Sequence, residues 1–155
     1  MHIQFLGLQS DQVAETKNAM RDAYGNPVEK HLSDGSAYPC RHCLGQTPEG
    51  QEYLILAWRP FETTNPYAET GPIFLCAADC PAAEPSGTVP DILRAPHYLV
   101  RGYSAEERIV YGTGEIVATP EIPKYAKQLL SDPLIAFVDV RSASNNCFQC
   151  RVRRA

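Results

Sequence analysis

Thirteen prolines are distributed through the 155 residues, about one position in twelve, against roughly 5% in average usage. Each fixes its own φ and removes a backbone donor. Together they leave few uninterrupted windows for helices longer than three or four turns, which argues against an all-helical bundle and for short elements joined by rigid turns. The hydrophobic share, 44%, is enough for one packed core in a chain of this length. Fourteen basic side chains against eighteen acidic ones give a net charge of −4. That balance indicates neither wholesale disorder nor a nucleic-acid or membrane surface driven by charge.

Segment by segment, the chain reads as a single α+β domain over residues 1–155 with no linker. Ile3 to Leu8 is a first apolar strand. Ser10-Asp11 opens a helix carried by Val13, Met20, Ala23 and Tyr24 and ended by Gly25-Asn26-Pro27. Val28 to Gly50 reads as irregular. Gln51 to Phe61 and Pro72 to Ala77 are strands, and His97 to Tyr103 with Ile109 to Ala118 predicts a hairpin. Thr119-Pro120-Glu121 starts a second helix, with Ile122, Tyr125, Ala126, Leu129 and Leu130 at helical spacing. Leu134 to Val140 and Cys147 to Val152 close the chain as strands. The expected architecture is a mainly antiparallel or mixed sheet of about six to seven short strands with two main helices.

Six cysteines are the most chemically informative residues. The chain opens without a basic secretory leader and contains no long apolar run, so a cytoplasmic protein is expected. In a reducing compartment cysteines serve as thiols, metal ligands or redox groups rather than as a disulfide framework. Cys40 and Cys43 form C-x-x-C, with Gly45 permitting the bend of a metal knuckle. A thioredoxin-like pair would need a helix after the first cysteine, which Gly45 and Pro48 disfavour. Cys76 and Cys80 form a looser C-x-x-x-C about thirty residues on. Two such pairs have the layout of a four-thiolate structural zinc site, the alternative being buried or free thiols. Residues three apart in a strand face opposite sides, so Cys150 is expected in the core with Phe148 and Val152, leaving Cys147 as a reserve ligand.

Other candidates carry less information. His42, between two cysteines, is read as an exposed polar residue, with a ligand or a base activating Cys43 as alternatives. Arg59, Tyr67 and Glu69 lie in a polar loop between two apolar strands, where an Arg and a Tyr can hold an anion and Glu69 can act as a base or pair with Arg59. Gly112-Thr113-Gly114 has no Lys-Ser/Thr after it and reads as a bulge or sharp twist. Arg151, Arg153 and Arg154 read as a solvated strand edge.

Taken together, the chain resembles the bacterial family known as domain of unknown function 1203. The resemblance rests on Tyr38-Pro39-Cys40-Arg41-His42-Cys43-Leu44, Arg59-Pro60-Phe61, Pro66-Tyr67-Ala68-Glu69-Thr70-Gly71-Pro72-Ile73-Phe74, Cys80, Arg101-Gly102-Tyr103 and Asn146-Cys147-Phe148. It implies a small stand-alone bacterial protein with no assigned catalytic residues. It also implies that the position of Cys76 is often histidine, a residue that can also bind zinc, so that four thiolates are not obligatory there. The expected function is a small binding or accessory protein for an unidentified small ligand or protein, with a structural zinc site. The competing readings are a thiol- or metal-dependent enzyme using Cys43 with His42, and a redox or metal sensor. Substrate and oligomeric state are not legible.

Overall fold

Short β-rich segments separated by prolines can bury apolar surface only by pairing, and here they do so in two sheets. The computed structural model describes residues 1–155. A five-stranded sheet has the order β1 (Ile3–Leu6), β8 (Phe148–Arg154), β7 (Phe137–Ser142), β5 (His97–Tyr103) and β6 (Glu115–Ala118). A three-stranded sheet has the order β2 (Glu29–Leu32), β3 (Glu52–Trp58), β4 (Gly71–Cys76). Every neighbouring pair is antiparallel.

There are eight strands rather than six to seven, and two sheets rather than one. The additional strand is β2, inside the segment expected to be irregular. All four of its residues, Glu-Lys-His-Leu, are exposed, so no alternation of apolar and polar positions marks it. Its place at the sheet edge comes from pairing with β3, not from burial of its own side chains.

Two helices cover the sheets. α2 (Ile122–Leu130) buries Ile122, Ala126, Leu129 and Leu130, the stripe expected from their spacing. Against that stripe lie Val100, Val138, Val140, Cys150 and Val152 of the larger sheet, each buried aliphatic side chain contributing about 1.5–3 kcal/mol. α1 (Ser10–Ala19) is shorter than the sequence implied, because Met20 turns into the left-handed region at φ 50° and ends it. Its one buried residue, Val13, joins Leu54, Leu56, Trp58, Ile73 and Leu75 in the core of the smaller sheet. No helix is long and apolar enough to cross a membrane.

Two details of β8 depart from expectation. It is an interior strand between β1 and β7, not an edge. Two of its arginines are bonded, Arg151 Nε donating to Asp139 at 2.7 Å and Arg154 to the carbonyls of Leu130, Asp132 and Ile135, while Arg153 is exposed as expected. A register shift between Val140 and Arg141 sets Cys150 opposite Val140 but Phe148 opposite Arg141. The extra residue reverses the sidedness of the strand start. Cys150 therefore lies in the α2-facing core as expected, whereas Phe148 does not belong to that core cluster.

Candidate metal centre and its surroundings

The segment Pro39 to Gln46 folds back on itself. Cys40 N–H donates to Gly45 O at 2.8 Å, Leu44 N–H donates to Cys40 O at 2.9 Å, and Leu44 adopts φ 56° to complete the reversal. The turn is stitched to both partners of the second cysteine pair. Arg41 N–H donates to Phe74 O on β4 at 3.1 Å, and Ala83 N–H, just past Cys80, donates to His42 O at 3.1 Å. Cys76 ends β4 and Cys80 lies in the turn beyond it.

These constraints bring the sulfurs of Cys40, Cys43, Cys76 and Cys80 to within 4.8 Å of one another, with Cys40 and Cys76 buried and the other two half-buried. The Cys40 and Cys80 sulfurs are 3.9 Å apart, and all six cysteines are free thiols. Four sulfurs bound to zinc at about 2.3 Å in a tetrahedron stand about 3.8 Å apart, so this set requires only small contraction to close on such an ion.

In the metal-free group the sulfurs hold their protons unequally. The Cys40 thiol is drawn well below its ordinary range by hydrogen bonds from the Cys43 and Cys76 thiols, which outweigh its burial, with the N–H groups of the same two residues adding to them. Cys43 is pushed up as the donor to Cys40 and Cys76. Cys80 is pushed up to about 12 by burial and by negative charge at Cys40 and Cys76. One sulfur gives up its proton readily and each further ionisation opposes it. Four thiolates in this space therefore require a cation among them.

Around the sulfurs stands a shell of supporting groups. Thr47 Oγ1 lies 3.4 Å from Cys76 Sγ, and His42 Nδ1 lies 3.2 Å from Cys80 Sγ. His42 is 6% exposed, not the exposed polar residue read between the two cysteines. Its other nitrogen meets Ser10 Oγ at 2.9 Å. The base-and-nucleophile pairing of His42 with Cys43 is thus replaced by a contact to Cys80. Arg41 is also buried, its guanidinium spent on the carbonyls of Phe148 and Pro39. Cys147 lies outside the four-sulfur group, its thiol directed to Asn145 O at 3.7 Å.

The loop candidates separate. Glu69 does not pair with Arg59: its carboxylate receives Arg101 at 2.9 Å and Arg141 at 2.7 Å. Tyr67 meets the Tyr111 hydroxyl at 2.8 Å, with Arg108 over its ring. Arg59 is exposed and donates to Phe61 O at 3.3 Å. Sequence reasoning overlooked Ser10 and Thr47, whose roles depend on contacts 32 and 29 residues away. It also overlooked Arg141 as a partner of Glu69, for which no local pattern exists.

No curated protein and no solved structure matches the chain. A family model described as Protein of unknown function (DUF1203) matches residues 37–154, a span that contains all four clustered cysteines and both arginines that hold Glu69. On that match, the chain belongs to the DUF1203 family.

Proposed function

We propose that this protein is a small binding domain stapled by a structural zinc ion on Cys40, Cys43, Cys76 and Cys80. The observation that carries the reading is the convergence of four free sulfurs within 4.8 Å, drawn from two segments with no other covalent tie. Four protein ligands leave no open coordination position for substrate, which favours a structural over a catalytic ion. The ion would join the Pro39 to Gln46 turn to the end of β4, reinforcing the backbone bonds from Arg41 to Phe74 and from Ala83 to His42.

Metal content of untagged protein, with a count of reactive thiols before and after denaturation, tests this. One equivalent of zinc and four thiols released only on unfolding are expected. Metal-free protein with six slowly reacting thiols overturns the metal; a single rapidly alkylated Cys43 overturns the structural role in favour of thiol catalysis.

A further inference from the structure

A cleft of 210 Å³ opens at the seam between the two sheets, away from the sulfurs. Its apolar lining includes Trp58, Phe61 and Phe148, each less than 9% exposed. Phe148 reaches this side only because the bulge in β8 reverses the strand start. Three arginines, Arg59, Arg151 and Arg153, line the same space, with Glu62 as the one acidic side chain among them. A second opening shares Trp58, Arg59, Phe61 and Glu62 and continues beyond the end of β3, where Arg21, Glu15 and Asp22 join its lining.

The arginines are not equivalent. Arg151 is satisfied: Asp139 takes it through both oxygens at 2.7 and 3.0 Å, and Pro60 O accepts its remaining contact at 2.7 Å. Arg59 and Arg153 take part in none of the molecule's ion pairs. Arg59 uses only Nε, on Phe61 O, and Arg153 rests over the Phe137 ring with its donors unspent. A guanidinium has five N–H donors in a planar fork suited to a carboxylate.

The first turn of α1 also reaches the cleft, where Gln9 and Gln12 line it. Gln9, in the N-cap position, makes no side-chain cap, and the nearby Ser10 hydroxyl is turned to His42 instead. Asp11 in that turn accepts from Gln12 N–H at 2.8 Å and offsets the partial positive charge of the helix start, so the arginines carry the attraction for an anion. With Arg151 neutralised by Asp139 and one of the other two arginines offset by Glu62, the lining favours a single negative charge over a dianion.

From this we infer that the cleft binds a small organic carboxylate with a flat apolar body, its carboxylate taken by Arg59 and Arg153 and its body laid against Trp58, Phe61 and Phe148. The inference rests on the binding-domain reading above and supplies its ligand class. The metal turn supports the wall: Leu8 lines the cleft and its N–H donates to Arg41 O at 2.8 Å.

Trp58 is the only tryptophan, so its emission reports the site directly. Benzoate is titrated into full-length protein of measured zinc content, with calorimetry as a second readout and inorganic phosphate as a comparison. Saturable binding of benzoate, weaker binding of phosphate, and a loss of about tenfold in benzoate affinity for both Arg59→Gln and Arg153→Gln are expected. Both side chains are exposed, and unchanged melting of each variant shows that folding is intact. Arg108→Gln, at the Tyr67 ring, leaves binding unchanged. Zinc-loaded protein that does not bind benzoate, binding indifferent to both substitutions, or a preference for phosphate overturns the cleft assignment and leaves the metal reading standing. Metal-free protein that still binds benzoate overturns the zinc alone.

Discussion

His42 links Cys80 to the start of α1: its Nδ1 lies 3.2 Å from the sulfur and its Nε2 lies 2.9 Å from Ser10 Oγ. With Cys80 as a thiolate, Nδ1 carries the proton and donates, and Nε2 accepts from the serine hydroxyl. Groups that hold a metal's ligands in this way typically contribute 10–100-fold to affinity. His42→Phe, which keeps the ring's bulk and removes both nitrogens, is expected to lower zinc affinity by about that factor, measured by competition with a chromophoric chelator. An unchanged affinity would show that Cys80 needs no such support.

Gly7 tests the same wall from the other side. A Cβ at this position would lie 2.4 Å from His42 O and 3.0 Å from Arg41 O, both backbone atoms that cannot rotate away. Gly7→Ala must displace β1's end from the metal turn, at a cost of about 1–3 kcal/mol. Urea denaturation checks the value, and a melting curve equal to that of the parent protein refutes the close packing. Gly25, whose added Cβ would meet nothing within 4 Å but whose φ is 78°, supplies a contrast in which only backbone strain operates.

How much of this was legible in the sequence depends on whether the controlling interaction is local. The α2 stripe and most of the strands carry their periods in consecutive residues and are found there, but the strand read over Ile109 to Ala118 is confined to Glu115–Ala118 and the one read from Leu134 begins at Phe137. The clustering of Cys40, Cys43, Cys76 and Cys80 was legible because two short spacings each imply a turn. β2 was not, since nothing in four exposed residues distinguishes an edge strand from a loop. Phe148 was placed on the wrong side because a bulge is decided by the partner strand. His42 reads as exposed in the sequence because its burial is imposed by Ser10 and by the segment around Cys80, neither of them adjacent in sequence.

Glu69 joins Arg101 of β5 and Arg141 of β7, and Asn146 approaches the same carboxylate at 3.4 Å. Arg141 is 4% exposed and its Nη1 already lacks a hydrogen-bond partner. Removing the carboxylate leaves that guanidinium buried without a counter-charge. Breaking a fully buried pair costs about 3–5 kcal/mol. Because the Glu69 side chain is about one-third exposed, Glu69→Ala is expected to cost less, about 2–3 kcal/mol. The double variant Glu69→Leu/Arg141→Met should recover part of the loss in chemical denaturation, since it removes the more buried arginine together with the carboxylate and leaves only Arg101 without its partner. If the double variant is no more stable than Glu69→Ala, the cost lies in lost packing instead.

Glu107 contributes to stability on the acid side. It adopts φ 59° at the tip of the β5–β6 connection, a conformation that costs a residue with a side chain about 1–2 kcal/mol. Its carboxylate offsets this by accepting from Glu62 N–H at 3.0 Å, Thr63 N–H at 2.8 Å and Thr63 Oγ1 at 2.7 Å. Burial acts to raise its pKa, but those three donors, with Arg151 nearby, hold it below the usual glutamate range. A folded-state value below the unfolded one means stability that is complete above the unfolded pKa of about 4.3 and lost as pH falls through the lower folded value. Glu107→Gln keeps the shape and removes the charge. It should cost about 1–3 kcal/mol at neutral pH and narrow its deficit against the parent protein as pH drops below about 4.3. Melting temperatures of both proteins across that range decide the matter: a deficit that stays constant with pH would show that the carboxylate charge at Glu107 does not stabilise the loop.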